Sequence, residues 1–214
     1  MAPEAAGRPA SGYAALAAGY DRRTRLINTI RLQAVAALQL RSGDTVLDVA
    51  CGTGFSFAPI LRAIGARGRL VAFDQSAELL EVARARLSSL QPEAASLSIG
   101  NAETFSLQGK KATALLFSYT HDVLQSEAAL DNLLGQAAPG ARVALCGSVL
   151  WPASAWPLSI AVNAWLRARH RGYIASMENF DRPWAKIAPR LSDFRVARRG
   201  PRWRYLATGR LPER

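Results

Sequence analysis

The sequence predicts an α/β fold: a doubly wound sheet that is mostly parallel and closes with a C-terminal antiparallel hairpin. Over the first 150 residues, short apolar runs alternate with stretches of helical periodicity, which is typical of parallel strands joined by helices. A glycine-containing turn directly follows the first apolar run, and two strand-like runs close the chain. The 214 residues, 50% of them hydrophobic, suffice for a single domain with a sizeable core.

Seven short runs are predicted to be the strands of this sheet. They are residues 45–49, 69–74, 97–100, 112–117, 141–149, 194–196 and 203–208. Helices are predicted at residues 13–40, 55–64, 77–90 and 127–138, and a further short helix begins within residues 180–184. We expect residues 1–12 to be a flexible leader. Residues 13–214 would then form a single domain, with residues 150–190 as a substrate lid or insertion.

The first predicted strand, the turn after it and the next helix form a candidate nucleotide site. The turn reads Asp48-Val49-Ala50-Cys51-Gly52-Thr53-Gly54. Glycine lets the backbone approach a ligand, and the N-terminus of the helix presents free N–H groups to it. A dinucleotide site needs a third small residue three places after the second glycine, where this chain has Phe57. Asp48 would repel a pyrophosphate and suits a cationic ligand. The alternative is an ordinary strand–turn–helix without a ligand.

The pattern Val-Leu-Asp-x-x-x-Gly-x-Gly, at residues 46–54, resembles the first motif of the class I S-adenosylmethionine-dependent methyltransferases. Many members of that family have glycine where this chain has Ala50, and some share the wording Asp-x-Ala-Cys-Gly-Thr-Gly. The resemblance covers roughly residues 13–210 and implies a Rossmann-like, seven-stranded fold. It also implies an enzyme that binds S-adenosyl-L-methionine and releases S-adenosyl-L-homocysteine.

The end of the second strand supplies a candidate for binding the cofactor's ribose. Asp74 lies 20 residues after Gly54, where a carboxylate accepts hydrogen bonds from ribose hydroxyls in Rossmann-like sites. The alternative is that Asp74 caps the following helix, although Ser76 is the better placed cap. Gln75 is predicted to reach the adenine edge.

Asn101 follows the third strand, where the resemblance places an acid on the adenine amino group. The side-chain oxygen of Asn101 can accept the same hydrogen bond, and the alternative is a turn asparagine. Tyr20 belongs to a Tyr-Asp pair that in the family often marks a segment covering the cofactor; alternatively, it packs on the sheet edge. The full set of candidate cofactor-binding residues is Tyr20, Asp48, Ala50, Gly52, Thr53, Gly54, Asp74, Gln75, Asn101, Ala102 and Ser118.

His121 is the candidate catalytic residue. The fourth strand neighbours the first across the switch point of the sheet, so its carboxyl end faces the reacting group. His121 lies four residues beyond that strand, and an imidazole with its ordinary pKa of about 6.5 suits a general base at neutral pH. The alternative is that His121 caps the next helix or packs against Tyr20. His170 lies in an arginine cluster, and nothing places it near the cofactor. No metal site is expected.

The net charge of +11 is concentrated at the C-terminal end. Residues 1–161 carry 14 Lys and Arg against 12 Asp and Glu, a net of +2, whereas residues 162–214 carry 13 against 4, a net of +9. Such an end could meet nucleic acid, an anionic membrane or an acidic substrate, or it reflects a compositional bias toward arginine. The chain has only three lysines, which disfavours binding along an RNA backbone. A small molecule is therefore the first choice of acceptor and nucleic acid the third.

Residues 143–166 carry no charge, and 24 residues are enough to span a bilayer. Because the fifth strand takes the first seven residues and Pro152 and Pro157 interrupt the rest, spanning is rejected. The residues after this strand, 150–166, are expected to form part of a lid over the substrate. The alternatives are a membrane-surface element and a plain core helix. Tryptophans followed by arginines make an amine-headed lipid the second choice of acceptor. The residues concerned are Trp151, Trp156, Trp165, Arg167, Arg169 and Arg171.

Two other function classes compete with methyl transfer. A NAD-dependent reductase is disfavoured by Phe57 and by the lack of a Tyr-x-x-x-Lys pair. A non-catalytic cofactor-binding or lipid-associated protein is the second. Cys51 and Cys146 are predicted to be packing residues of a reducing cytosol, so we expect a cytoplasmic protein. We expect a monomer or a homodimer.

Overall fold

The computed structural model describes residues 28–90, 92, 94–151, 157–170, 178–199 and 203–213, and within them it forms one seven-stranded sheet. The strands are β1 (Thr45–Val49), β2 (Arg69–Asp74), β3 (Ala95–Ile99), β4 (Ala112–Ser118), β5 (Ala137–Ser148), β6 (Ser192–Arg199) and β7 (Arg204–Arg210). The helices are α1 (Asn28–Ala37), α2 (Phe57–Ile64), α3 (Ala77–Leu90), α4 (His121–Gln125), α5 (Glu127–Gly135) and α6 (Leu158–His170), with a 3₁₀ helix at Ala188–Arg190.

The strand order is β3-β2-β1-β4-β5-β7-β6, which confirms the predicted doubly wound sheet with its antiparallel end. Strands β3, β2, β1, β4 and β5 pair in parallel, while β7 pairs antiparallel with both β5 and β6. After β1 the chain continues to β2 on one side, and β4 later returns to the other side. This reversal creates a switch point at the carboxyl ends of β1 and β4, where ligands bind in open α/β sheets.

The core has two layers, one on each face of the sheet. Because side chains alternate along a strand, Leu47 and Val49 of β1 face the layer that contains Leu130 and Leu133 of α5. Val46 faces the other layer, which α1 and α2 cover with Ile30 and Ile60. Asp48 shares the face of Val46 and is therefore buried on the side of α1 and α2.

Several predicted boundaries differ from the structure. The helix predicted from residue 180 is wrong: consecutive turns lead to the 3₁₀ helix, because Pro183 and Pro189 interrupt regular α-helical bonding. Strand β5 begins four residues early, at Ala137, and shortens the preceding helix. Within the described residues, only Asn28–Ala37 of the predicted first helix is helical. Residues 1–27 and the predicted turn at Gly200-Pro201 lie outside the described residues.

A polar cluster around Asp44 ties together the amino ends of the central strands. The Asp44 carboxylate accepts hydrogen bonds from the Arg142 guanidinium at 2.6 Å and the Thr113 hydroxyl at 2.8 Å. It also accepts the backbone N–H of Arg41 at 2.6 Å, and Arg142 donates to the carbonyl of Gln39. Burial alone would raise the pKa of Asp44, but these hydrogen bonds outweigh it and hold the pKa below its ordinary value. The cluster therefore stabilises the fold with an ionised carboxylate.

We expect Asp44→Ala to lower the free energy of unfolding by about 3–5 kcal/mol, since it leaves the Arg142 guanidinium buried without its counter-charge. Urea unfolding at pH 7 measures this change. The control is Asp131→Ala, which removes an ion pair with Arg190 from a side chain that is 72% exposed and should cost less than about 1 kcal/mol. Equal losses in the two variants would show that the Asp44 cluster contributes no more than a surface pair.

Candidate functional site

The turn between β1 and α2 lies at the switch point and has an unusual backbone. Ala50, Gly52 and Gly54 all have positive φ, at +47°, +57° and +71°. The N–H of Cys51 donates to the carbonyl of Phe73 at 2.9 Å and so continues the ladder between β1 and β2 into the turn. Glycine tolerates positive φ, whereas Ala50 adopts a conformation that is unfavourable for residues with a Cβ. The turn is therefore held in a strained but defined shape.

The two glycines of the turn serve different purposes. A Cβ added to Gly54 would lie 2.3 Å from the ring of Phe57, which is fully buried at the start of α2. The absence of a side chain at Gly54 thus makes room for Phe57, which explains why this chain has no third small residue. A Cβ on Gly52 would meet no atom of the described residues within 4 Å, so none of these residues covers the backbone of Gly52.

Asp74, at the end of β2, holds this turn in place. One carboxylate oxygen accepts the N–H of Gly52 at 2.8 Å, and the other accepts the N–H of Ser76 at 2.9 Å. Burial raises the pKa of Asp74, and the two backbone hydrogen bonds oppose that rise. The hydroxyl of Ser76 accepts the N–H of Leu79 at 3.2 Å, so Ser76 caps α3 as the sequence indicated. Each Asp74 oxygen keeps a second lone pair for a ligand.

Asp48 is fully buried beneath the turn. The hydroxyl of Ser56 donates to its Oδ2 at 2.6 Å, while its Oδ1 has no hydrogen-bond partner among the described residues. Burial raises the pKa of Asp48 to about 7; the Ser56 hydrogen bond and the charge of Arg31 oppose the rise, and the charge of Asp74 adds to it. A buried carboxylate oxygen without a donor is costly, which makes it a candidate to receive a cationic ligand group.

Arg31 of α1 is a site residue that the sequence analysis missed. Its side chain is buried, and its guanidinium carbon lies 5.6 Å from the ring centroid of Phe55 and 5.3 Å from that of Tyr119. These distances are typical of cation–π contacts. The available signal was its spacing: Arg31 stands three and four residues before Ala34 and Val35, on the buried face of the helix.

The turn after β3 is fixed by its own hydrogen bonds. The side-chain oxygen of Asn101 accepts the N–H of Glu103 at 2.8 Å, which is the turn role considered as the alternative for this residue. The carbonyl of Ala102 accepts the side-chain amide of Asn132 at 3.0 Å. The N–H of Gly100 donates to the carbonyl of Asp74, so this turn lies beside the end of β2, where Gln75 is exposed.

The end of β4 carries the candidate base. Ser118 accepts the thiol of Cys146 at 3.5 Å, and Tyr119 has a φ of +61° with its N–H bonded to the carbonyl of Cys146. His121 is the first residue of α4; it is buried, and its ring centroid lies 4.8 Å from that of Phe180. Burial raises the pKa of Cys146 to about 11, so this thiol is neutral at physiological pH. Both cysteines are free.

The structure brings most of the predicted residues to one edge of the sheet. Asp48, Gly52 and Asp74 meet at the switch point, and Gln75 and Asn101 flank them at the ends of β2 and β3. Ser118 is the last residue of β4, and His121 follows it. Thr53 is buried within the turn. Tyr20 and the side chain of His170 lie outside the described residues. Within the described part of the chain, no group of three or more His, Cys, Asp or Glu could hold a metal ion.

The segment predicted to be a lid is described only in part. The side chain of Asn163 in α6 bonds the N–H of Trp151 at 2.7 Å and its carbonyl at 3.1 Å. Leu166 packs against Leu150 and Phe180, so α6 is anchored to the end of β5. Leu158, Ile160 and Trp165, which lie elsewhere on the helix, are exposed. None of the described helices is long and apolar enough to cross a membrane.

Comparison with known proteins identifies the class to which this arrangement belongs. Residues 46–140 match the family described as "Methyltransferase domain". A ubiquinone/menaquinone biosynthesis C-methyltransferase, UbiE, of Xylella fastidiosa is 45% identical over 53 residues, which are 25% of this chain and 21% of that protein. A ribosomal RNA small subunit methyltransferase H of Koribacter versatilis is 34% identical over 64 residues, 30% of this chain and 20% of that protein. The matches to these curated relatives thus span about a fifth of each relative's length.

A solved SAM-dependent methyltransferase of Aquifex aeolicus superposes with a TM-score of 0.61 at 18% identity, covering 92% of this chain and 98% of that one. The seven-stranded topology is that of the class I S-adenosylmethionine-dependent methyltransferases, as predicted. Over residues 46–140 the chain is similar to the methyltransferase-domain family, and this match together with the fold supports S-adenosyl-L-methionine as the cofactor. Among the described residues, nothing covers Gly52 and nothing donates to Oδ1 of Asp48, and both features fit that cationic cofactor.

We expect Gly54→Ala to destabilise the protein by about 1–3 kcal/mol more than Gly52→Ala, because only the former drives a Cβ into the Phe57 ring. Both variants carry the penalty of about 1–2 kcal/mol for alanine at positive φ, so each controls for the other. Urea unfolding gives the two free energies. Equal destabilisation would mean that Phe57 moves aside without cost.

Proposed function

We propose that this protein is an S-adenosyl-L-methionine-dependent methyltransferase that acts on a small-molecule acceptor. The observation that carries the proposal is a cradle at the switch point, formed by Arg31, Asp48, Gly52 and Asp74. Asp74 fixes the amide of Gly52, and none of the described residues fills the space above that glycine. The position is where open α/β sheets bind nucleotides. Phe57 fills the place that a dinucleotide site keeps small, which disfavours the reductase alternative.

In this proposal the residues at the ends of β2 and β3 bind the nucleoside. The remaining lone pairs of Asp74 accept hydrogen bonds from the ribose hydroxyls, at an acceptor whose orientation two backbone amides already fix. Gln75, Asn101 and Ala102 surround the adenine. Asn101 contributes its amide group, whose oxygen also holds the turn. Ala50, Thr53, Gly54 and Ser118 shape the floor, and Tyr20 covers the ligand.

The amino-acid end of the cofactor is a zwitterion, and the cradle holds buried groups of both signs. Asp48 attracts the ammonium, directly or through a hydrogen-bonded backbone group, by the oxygen that has no donor among the described residues. The positive charge of Arg31, which lowers the pKa of Asp48, attracts the carboxylate of the cofactor. Helix α1 thereby closes the cofactor end of the site from above the sheet.

The bound cofactor supplies an activated methyl group and its own leaving group, so the protein mainly aligns the acceptor. His121 stands at the end of β4, the strand next to β1, where the acceptor would meet the methyl group. Its imidazole takes the proton of a hydroxyl acceptor as the new bond forms. Phe180 packs on the ring and limits its orientations.

A second acceptor class is an amine-headed lipid at a membrane surface. The observation in its favour is α6, where Leu158, Ile160 and Trp165 are exposed on a helix whose sequence also carries Arg167 and Arg169. The relatives include both a quinone-pathway C-methyltransferase and an RNA methyltransferase, so nucleic acid remains a third class. A cytoplasmic location, a monomeric or homodimeric state and a lid within residues 150–190 complete the proposal.

Calorimetric titration of the purified protein with S-adenosylhomocysteine and with NADH tests the cofactor assignment. We expect saturable binding of the first and none of the second. Turnover is then screened with S-adenosylmethionine over phenols, thiols, amines and aminolipids. Binding of NADH alone would establish the reductase alternative, and cofactor binding without turnover of any acceptor would favour a non-catalytic protein.

We expect Asp48→Asn to weaken S-adenosylhomocysteine binding by about 1.5–3 kcal/mol, because a neutral amide cannot attract the ammonium. The pKa of Asp48 in the ligand-free protein is about 7, so wild-type affinity should rise as the pH passes upward through that value. In the Asn variant the affinity should depend little on pH in this range. Titrations between pH 6 and 8 measure both trends.

The same variant separates binding from stability. The folded protein holds a proton on Asp48 up to about pH 7, whereas the unfolded chain loses it near the ordinary value of 3.8. The ligand-free wild type should therefore lose stability as the pH rises between these values, on the order of 4 kcal/mol from this group, and Asp48→Asn should not. An altered unfolding free energy with unchanged binding would make Asp48 purely structural.

We expect His121→Ala to lower turnover of a hydroxyl acceptor by about 10²–10⁴-fold and to leave S-adenosylhomocysteine affinity nearly intact. A thiol that is already ionised at the assay pH should be affected least, since it needs no base. His121→Gln keeps bulk against Phe180 and controls for packing. Turnover near the wild-type rate in either variant would leave a site that works by proximity alone.

A further inference from the structure

A cleft opens at the edge of the sheet opposite to the cradle, where β1, β4 and β5 begin and β7 ends. Its volume is about 210 Å³. One water molecule needs about 10–15 Å³, and typical small-molecule sites measure roughly 300–1,000 Å³. The cleft is therefore suited to a ligand larger than a water molecule and smaller than a dinucleotide.

An irregularity in β5 forms one side of the cleft. Thr113 of β4 is the one residue of that strand that lies against residues 138–141 of β5, so the register shifts there. Pro139 has no N–H to donate to β4, and Gly140 has a φ of +70°, which favours glycine. All four residues of this bulge line the cleft. Bulges of this kind recur beside binding sites, where they interrupt strand pairing.

The acidic charge at the cleft is already used by the fold. Among the described residues that line the cleft, Asp44 is the one acid. Its carboxylate accepts the Arg142 guanidinium at 2.6 Å and the Thr113 hydroxyl at 2.8 Å. Arg142 also donates to the carbonyl of Gln39, and its side chain is only 13% exposed. Asp44 and Arg142 therefore neutralise each other.

Two further arginines line the cleft without a counter-charge. Arg41 and Arg210 are exposed, and their printed hydrogen bonds involve only their backbone atoms. Neither guanidinium forms a hydrogen bond or an ion pair with another of the described residues. Three arginines and one aspartate give the lining a net charge of +2. Like charges that share a cleft repel each other, and a bound anion offsets that repulsion.

The lining also favours one kind of anion. Guanidinium groups present their N–H donors in a planar fork that matches the oxygens of phosphate. The residues of the bulge are small, and none of the described residues that line the cleft is aromatic. A nucleobase would therefore find no ring on which to stack. These features favour a phosphate group with a small aliphatic substituent or with none.

We infer that this cleft binds the phosphate group of a small molecule, free or esterified, between the guanidinium groups of Arg41 and Arg210. The bound phosphate joins the residues before β1 to the end of β7. Glu213 is an acid near the rim, since its Oε1 lies 3.2 Å from the position that a Cβ on Gly140 would take. The site is separate from the proposed methyl transfer, because the cleft and the cradle lie at opposite ends of β1.

Calorimetric titration with inorganic phosphate at constant ionic strength tests the inference. We expect saturable binding to the wild type, roughly tenfold weaker binding to Arg210→Gln and to Arg41→Gln, and roughly twofold tighter binding to Glu213→Gln. Arg84→Gln is the matched control, because it removes the same charge from an exposed position on α3 that does not line the cleft. Equal losses in Arg84→Gln and Arg210→Gln would overturn the inference, since overall charge would then explain the binding.

The same titration is repeated with protein saturated with S-adenosylhomocysteine. We expect unchanged phosphate affinity, because the two ligands occupy opposite edges of the sheet. Displacement of phosphate by S-adenosylhomocysteine would place phosphate in the cradle and overturn the inference. Binding of a single-stranded RNA through Arg210, without any binding of inorganic phosphate, would overturn it as well. If S-adenosylhomocysteine itself fails to bind, the proposed function fails while the phosphate titrations still decide this site.

Unfolding in urea gives an independent readout, since a ligand that binds only the folded protein stabilises it. Phosphate also stabilises proteins in general through its exclusion from their surface. The decisive quantity is therefore the shift in urea midpoint between phosphate and chloride at equal ionic strength, compared between variants. We expect a larger shift for the wild type and Arg84→Gln than for Arg210→Gln. Equal shifts in all three proteins would contradict a specific site.

Discussion

The site depends on the hydrogen bond between the amide of Gly52 and the carboxylate of Asp74. It joins the turn after β1 to the end of β2, and it requires the positive φ of Gly52 to direct the N–H toward the acid. The second oxygen of Asp74 is held by the N–H of Ser76, so the carboxylate has one fixed orientation. The same two amides that orient the acid oppose the rise in its pKa that burial causes. Geometry and ionisation of the site thus have a common origin.

Much of this arrangement was predictable because it is local. Apolar runs and turn residues within a few positions predict strands β1 and β2 and the turn between Val49 and Phe57. They also predict the helix cap at Ser76. The adjacency of β1 and β4 follows from the topology of doubly wound sheets. Helical spacing places Arg31 on the buried face of α1, but its contacts were not predictable, because they are with aromatic rings far away in the sequence. The turns after residue 178 were missed because two prolines interrupt an otherwise helical pattern.

The buried carboxylates at the two ends of β1, Asp44 and Asp48, have pKa values shifted in opposite directions. Asp44, before the strand, faces a guanidinium and has a lowered pKa, so it stabilises the fold as an ion. Asp48, within the strand, has one hydroxyl donor and a pKa raised to about 7, so the folded protein retains it at an energetic penalty. Proteins keep such penalties mainly where a ligand removes them. The amino edge of the sheet is therefore the stabilising edge, and in the proposed function the carboxyl edge is the ligand-binding one.

The charges of the cradle also suit the proposed reaction. With both acids ionised, Asp48 and Asp74 outweigh Arg31 by one negative charge. S-adenosylmethionine carries one net positive charge, because its sulfonium and ammonium charges exceed its carboxylate charge, so on binding as proposed it would neutralise the cradle. Methyl transfer removes the sulfonium charge and leaves a neutral product beside a net negative site. Because the pKa of Asp48 is about 7, a proton can then replace the lost charge. Under the proposed function, the cradle would thus bind the substrate form of the cofactor more tightly than the product form, which would promote product release after each turnover.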